Sequence, residues 1–201
     1  MFKETRLDTY AAALTLFLIM DPLGNIPIFL SVLNQVEAKR RVKVLIRELF
    51  IALALMLIFL YLGPNILSLL GLSTEAVSIS GGLILLIIAV RMIFPSRGGV
   101  SSDDEYDAEP LVVPLATPMI AGPSILATLV LLAESDPTRS TDWLVALLIA
   151  WGASAIILLA SQGFYKVLGK RGLKAIERLM GMILISIAVQ MLINGILALK
   201  V

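Results

Sequence analysis

The chain has 201 residues, of which 59% are hydrophobic and 15% charged, and it contains neither cysteine nor histidine. This is a membrane composition, and it rules out disulfides, thiolate chemistry and the commonest zinc ligands. Neither a metal nor a cofactor is expected. The net charge of +1 conceals an asymmetry in where the basic residues fall.

Lys3 and Arg6 precede the first apolar run, but Glu4 and Asp8 dilute them and no small-residue cleavage pattern follows. The segment is therefore read as part of the mature protein rather than a signal peptide. Apolar runs of spanning length fall at roughly 10–32, 44–63, 72–94, 111–133, 142–164 and 176–199. The expected fold is all-α, with six transmembrane helices.

The first run is interrupted by Asp21-Pro22-Leu23-Gly24-Asn25-Ile26-Pro27, which sets a carboxylate, an amide and two prolines at membrane depth. Backbone in hydrocarbon must satisfy its own hydrogen bonds, so such a break survives only where protein or a water-filled cavity covers it. An ionisable residue there points to function. Proline suits the first position of a helix, which predicts half-helices at about 9–20 and 26–38. Asp21 to Asn25 would then be an unwound joint, with Pro27 opening the second half.

Lys39, Arg40, Arg41, Lys43 and Arg47 follow this helix, Arg91 and Arg97 lie at the connection between helices 3 and 4, and Lys166, Lys170, Arg171, Lys174 and Arg178 lie between helices 5 and 6. Twelve Lys and Arg thus fall on one side, against Lys3, Arg6, Arg139 and Lys200 on the other. The positive-inside rule places these three connections in the cytoplasm and both termini outside. Such short loops offer lipid headgroups a contact and nucleic acid too little surface. Arg91, about 12 Å from the midplane at 1.5 Å per residue, either snorkels to the interface or pairs with an acid or substrate carboxylate inside the bundle.

Residues 96–110 contain Gly98, Gly99 and five acids and read as a flexible cytoplasmic linker. It separates a first three-helix unit, 1–95, from a second, 111–201. The second repeats the first at an offset of 96 to 99 residues. Gly82 to Phe94 matches Gly181 to Ile193 at seven of thirteen positions, and Thr117-Pro118-Met119-Ile120-Ala121-Gly122-Pro123 reproduces both prolines of the first break. Three spans per unit reverse the orientation of the second copy, which is the inverted-repeat plan of secondary transporters. Helix 4 is expected to break around Pro118 to Gly122 near the midplane, with Pro123 opening its second half.

A half-helix N-terminus at the midplane favours an anionic group, and an opposing C-terminus with the Asp21 carboxylate favours a cation. One pocket thus offers complementary ends to a zwitterion. The expected contacts are Asp21, Gly24, Asn25, Thr117, Gly122 and Ser124, with Thr128 accessory. Gly24 and Gly122 would let backbone approach the ligand. Asp21 has three candidate roles: binding substrate, carrying a coupling proton, and capping the second half-helix. Gln190 and Asn194 are read as interhelical hydrogen-bond partners ahead of ligand contacts; Trp143 suits an interface belt, although neither Trp143 nor Trp151 is assigned a place.

With Pro114-Leu115-Ala116-Thr117-Pro118 and Ala121-Gly122-Pro123 beside Asp21-Pro22-Leu23-Gly24-Asn25-Ile26-Pro27, the chain resembles the MarC/SnatA family of small bacterial and archaeal inner-membrane proteins over nearly its whole length. The resemblance implies a transporter of small neutral amino acids such as glycine and alanine, and the inner membrane as its place. Coupling to a proton or sodium is the expectation, and a chain this small is a candidate for a homodimer.

Catalysis is not expected. Gly163 to Lys170 misses the Walker spacing, an intramembrane serine protease would lack a histidine base, and Asp21 is read as standing alone where an aspartyl protease needs two acids. The rival readings are an exporter of other small metabolites or drugs, and a membrane scaffold or sensor working through its basic loops and acidic linker.

Overall fold

The computed structural model describes residues 9–34, 36–37, 39–94 and 120–199. Thr117, Pro118, Pro114 and the linker 96–110 lie outside the described residues. Among those described there is helix and no strand: α1 (Thr9–Met20), α2 (Pro22–Asn34), α3 (Arg41–Leu70), α4 (Thr74–Ile93), α5 (Pro123–Ser135), a 3-10 turn (Pro137–Arg139), α6 (Ser140–Leu159) and α7 (Ser161–Ala198).

Five segments are long and apolar enough to cross a membrane: Thr9–Pro27, Arg41–Leu70, Thr74–Ile93, Pro137–Leu159 and Arg171–Ala198. At 1.5 Å per residue the 13-residue α5 reaches about 20 Å, short of the ~30 Å hydrocarbon core. It supplies the described part of the expected fourth span.

Two boundaries differ from the sequence reading. The second span, expected to end at Gly63, runs on through Pro64 to Leu70. Gly63 packs against Val130 of α5, and neighbouring helices can support a proline inside a membrane helix. The stop is Gly71, left-handed at φ +65, where Leu72 N–H reaches back to the Leu67 carbonyl at 2.9 Å, a glycine C-cap. Ser73 then caps α4 by accepting from Ala76 N–H, so three residues turn the chain. The basic connection between spans 5 and 6 is also helical, because α7 begins at Ser161 and is interrupted only at Gly169, φ +61. Glycine alone adopts that conformation freely.

α4 and α7 form the most extensive helix pair; α1 packs on α6, α3 and α4 on α5, and α2 on α7. Glycines let α4 and α7 approach. A carbon added at Gly82 would lie 3.0 Å from the Ala188 carbonyl oxygen, and one added at Gly181 would lie 3.0 Å from that of Ala89. Ser78 hydroxyl donates to the Met191 carbonyl at 2.8 Å across the same seam. Close backbone approach and interhelical hydrogen bonds hold helices together in lipid, where apolar surface alone gives no drive.

The interior is apolar, with Leu16, Phe29, Met56, Leu85, Ile125, Leu129, Leu147 and Leu184 buried, while the outer face exposes Ile87, Ile149, Ile156, Met182 and Ile196. Trp143 is buried, with its ring under Arg139 and Nε1 donating to the Asp136 carbonyl, so it packs within the bundle near the start of α6. Trp151 Nε1 donates to the Leu49 carbonyl at 2.9 Å and ties α6 to α3.

Candidate functional site

The joint between α1 and α2 is a single residue. Pro22 has no N–H to continue α1 and disfavours helical geometry in the residue before it, so the chain leaves the helix at Asp21. That residue takes φ +44, a left-handed conformation that aspartate tolerates better than most side chains. Gly24 N–H donates to Asp21 Oδ1 at 3.1 Å, which caps α2. Asn25 Nδ2 donates to the Met20 carbonyl at 3.1 Å and so satisfies one of the carbonyls left open at the end of α1.

The expected five-residue joint is thereby corrected. α2 starts at Pro22 and Pro27 lies inside it, because the earlier proline already fills the first helical position. Asp21 is 4% exposed. Its Oδ2 bonds to no described residue and fills the space that a side chain on Gly24 would need. Gly24 is required here for close approach.

On the other side, Gly122 is the extended N-cap residue of α5 and Pro123 holds its first turn, as the sequence reading expects. Among the described residues no side chain caps this N-terminus. Ser124 is buried and its hydroxyl donates to the Gly81 carbonyl at 3.2 Å, which fixes α5 on α4.

A cavity of about 230 Å³ lies between the two joints. Its polar lining is Asp21, Gly24, Asn25, Gly122, Ser124 and Glu177, and Leu85, Met92, Ile125 and Leu184 form apolar walls. Five of the six expected contacts are thus brought together from positions about a hundred residues apart in sequence. Thr117, the sixth, lies outside the described residues. No Lys or Arg is among the described lining residues.

Three expected accessory residues are elsewhere. Thr128 is buried, and its hydroxyl donates to the Ser124 carbonyl at 2.8 Å. Arg91 is exposed near the end of α4. Gln190 is exposed and bonds Asn194, four residues on along the same helix, at 2.7 Å, so this pair is not interhelical.

Sequence reasoning missed two acids. Glu177 is not among the expected contacts, yet it lines the cavity with Asp21, so Asp21 does not stand alone. A signal was present: Glu177 precedes Gly181 by four residues and so shares the face that packs on α4. Glu48, inside α3, is fully buried; Arg47 Nε and Nη2 hold its Oε1 at 3.0 and 2.9 Å, and its Oε2 has no partner among the described residues.

The family model described as MarC family integral membrane protein matches residues 8–199. The chain is 54% identical over 189 residues to the UPF0056 inner membrane protein YhgN of Escherichia coli K12, covering 94% of this chain and 96% of that protein. It is 52% identical to a UPF0056 membrane protein of Buchnera aphidicola from Schizaphis graminum, covering 95% and 97%. A UPF0056 membrane protein of Methanocaldococcus jannaschii is 35% identical, with 90% and 92% covered. No solved structure matches the chain. Family match, relatives and apolar helices agree: the chain belongs to the MarC family of integral membrane proteins.

Proposed function

We propose that this protein is a secondary transporter of small neutral amino acids in the inner membrane. The observation that carries the reading is the cavity between the Asp21 joint and the α5 N-terminus. Asp21 offers a carboxylate to an ammonium group. The N–H groups at the start of α5, which no side chain among the described residues caps, offer donors to a carboxylate, assisted by the helix dipole.

Size narrows the substrate. About 230 Å³ falls below the ~300–1,000 Å³ of sites for drug-sized ligands and equals the liquid share of about eight waters at ~30 Å³ each. A glycine- or alanine-sized zwitterion suits it better than a drug.

The architecture we infer is six spans in two inverted three-helix repeats, with cytoplasmic connections 1–2, 3–4 and 5–6. The packing supports it: α2 lies on α7 as α5 lies on α4, and α4 lies on α7, a set unchanged when the first three spans are exchanged with the last three. Paired broken helices meeting at a cavity are where such transporters bind substrate. Transport would be coupled to a proton or sodium.

Counterflow in proteoliposomes against a panel of labelled amino acids tests the reading. Exchange of glycine or alanine is the expected result. Absence of exchange for every amino acid, with the protein folded and oriented, would favour a scaffold or sensor instead.

A further inference from the structure

The two acids of the cavity differ in access. Asp21 is almost completely buried, whereas Glu177 is partly exposed on α7 beside Lys174 and Arg178. Glu177 therefore stands at the mouth and Asp21 inside. Gly24 N–H uses Oδ1 of Asp21, and among the described residues no hydrogen bond reaches Oδ2.

The repeat sharpens the contrast. At the offset of 99 residues that relates Gly82 to Gly181, the counterpart of Glu177 is Ser78; at the offset of 96 that relates Pro27 to Pro123, the counterpart of Asp21 is Thr117. Ser78 makes a structural hydrogen bond to the Met191 carbonyl. A hydroxyl therefore suffices for packing at the position that carries Glu177 in the second copy. Each copy thus supplies one acid that its counterpart lacks, and both acids line one cavity, which is not explained by helix packing.

We propose that Glu177 and Asp21 are successive stations of a proton path into the cavity; the idea rests on the transport reading above. Glu177 takes a proton from water at the mouth. That O–H bond breaks as the proton passes through cavity water to Asp21, where a new O–H bond forms on the carboxylate. The cavity is roomy enough for several waters and offers the polar partners that they need. No oxidant or co-reactant is required.

The charged surroundings are few. On α7, Lys174 and Arg178 adjoin Glu177; on α4, Arg91 is near this end but exposed; α2 carries no ionisable residue. Among the described lining residues acid is therefore in excess, and a proton is a small enough cation to neutralise it while leaving space for substrate.

The test uses the full chain in proteoliposomes, comparing Glu177→Gln and Glu177→Asp with wild type for labelled alanine exchange and for accumulation driven by a pH gradient. The ratio of accumulation to exchange should fall by about tenfold or more in Glu177→Gln and recover in Glu177→Asp. A wild-type ratio in Glu177→Gln overturns the relay. Equal loss of both activities without rescue by aspartate also overturns it, since that assigns Glu177 to folding or substrate contact. Lack of amino-acid exchange in the wild type overturns the substrate reading itself.

Discussion

Gly82 and Gly181 face each other's repeats in the same way. A carbon on Gly82 would meet the Ala188 carbonyl at 3.0 Å and Met191 Cβ at 3.1 Å; one on Gly181 would meet the Ala89 carbonyl at 3.0 Å and Met92 Cβ at 3.1 Å. Each partner is displaced by the same 99 residues that separate the glycines. Reciprocal contacts of this kind are what the proposed inverted repeats would produce.

Replacing either glycine with valine should destabilise the bundle to a similar extent. Backbone carbonyls stand in the way and cannot rotate aside as side chains do, so overpacking should cost about 1–3 kcal/mol. Thermal unfolding in detergent, followed by circular dichroism, checks this. A large loss for one glycine and none for the other would contradict the reciprocity.

Gly24→Ala should insert and fold but lose most exchange. The new carbon would collide with Asp21 Oδ2 and approach Met92 Cε to 2.5 Å. The methionine end can move, but the aspartate is held by its bond to Gly24 N–H. The substitution thus displaces the carboxylate on which the site depends. Exchange at matched expression measures it.

Arg47→Leu should lower stability more than the double variant Arg47→Leu with Glu48→Leu. Removing one partner of a buried pair leaves an uncompensated charge, which costs up to about 3–5 kcal/mol, whereas replacing both partners can be neutral. Arg47 is half-exposed, so the effect should fall below that range. Midpoints of thermal unfolding for the two variants decide the order.

Cysteines at Lys43 and Gly99 should react with an impermeant thiol reagent only from the cytoplasmic face, and one at Thr138 only from outside. The chain has no cysteine of its own to confuse the labelling. Reaction of Gly99→Cys and Thr138→Cys from the same side would remove the inverted arrangement.

Much of the site was legible because its chemistry is local. Asp21 before Pro22, and Gly122 before Pro123, announce helix ends by rules that act within a turn. The first joint was still read too long, since Pro27 was given a role that Pro22 already filled. The faces of α7 needed one more step. Gln190 lies nine residues from Gly181, two and a half turns away and so on the opposite face, which explains its exposure; Glu177, one turn before Gly181, lies on the packed side. The run of α3 through Pro64 depends on contacts with α5, and a local rule does not contain them.

Protection of the cavity by substrate tests the central claim most directly. Ser124→Cys should react with a small thiol reagent, and millimolar alanine or glycine should slow that reaction, while the exposed Thr138→Cys reacts at an unchanged rate. If no small neutral amino acid protects Ser124→Cys in folded protein, the cavity between the two joints is not their binding site.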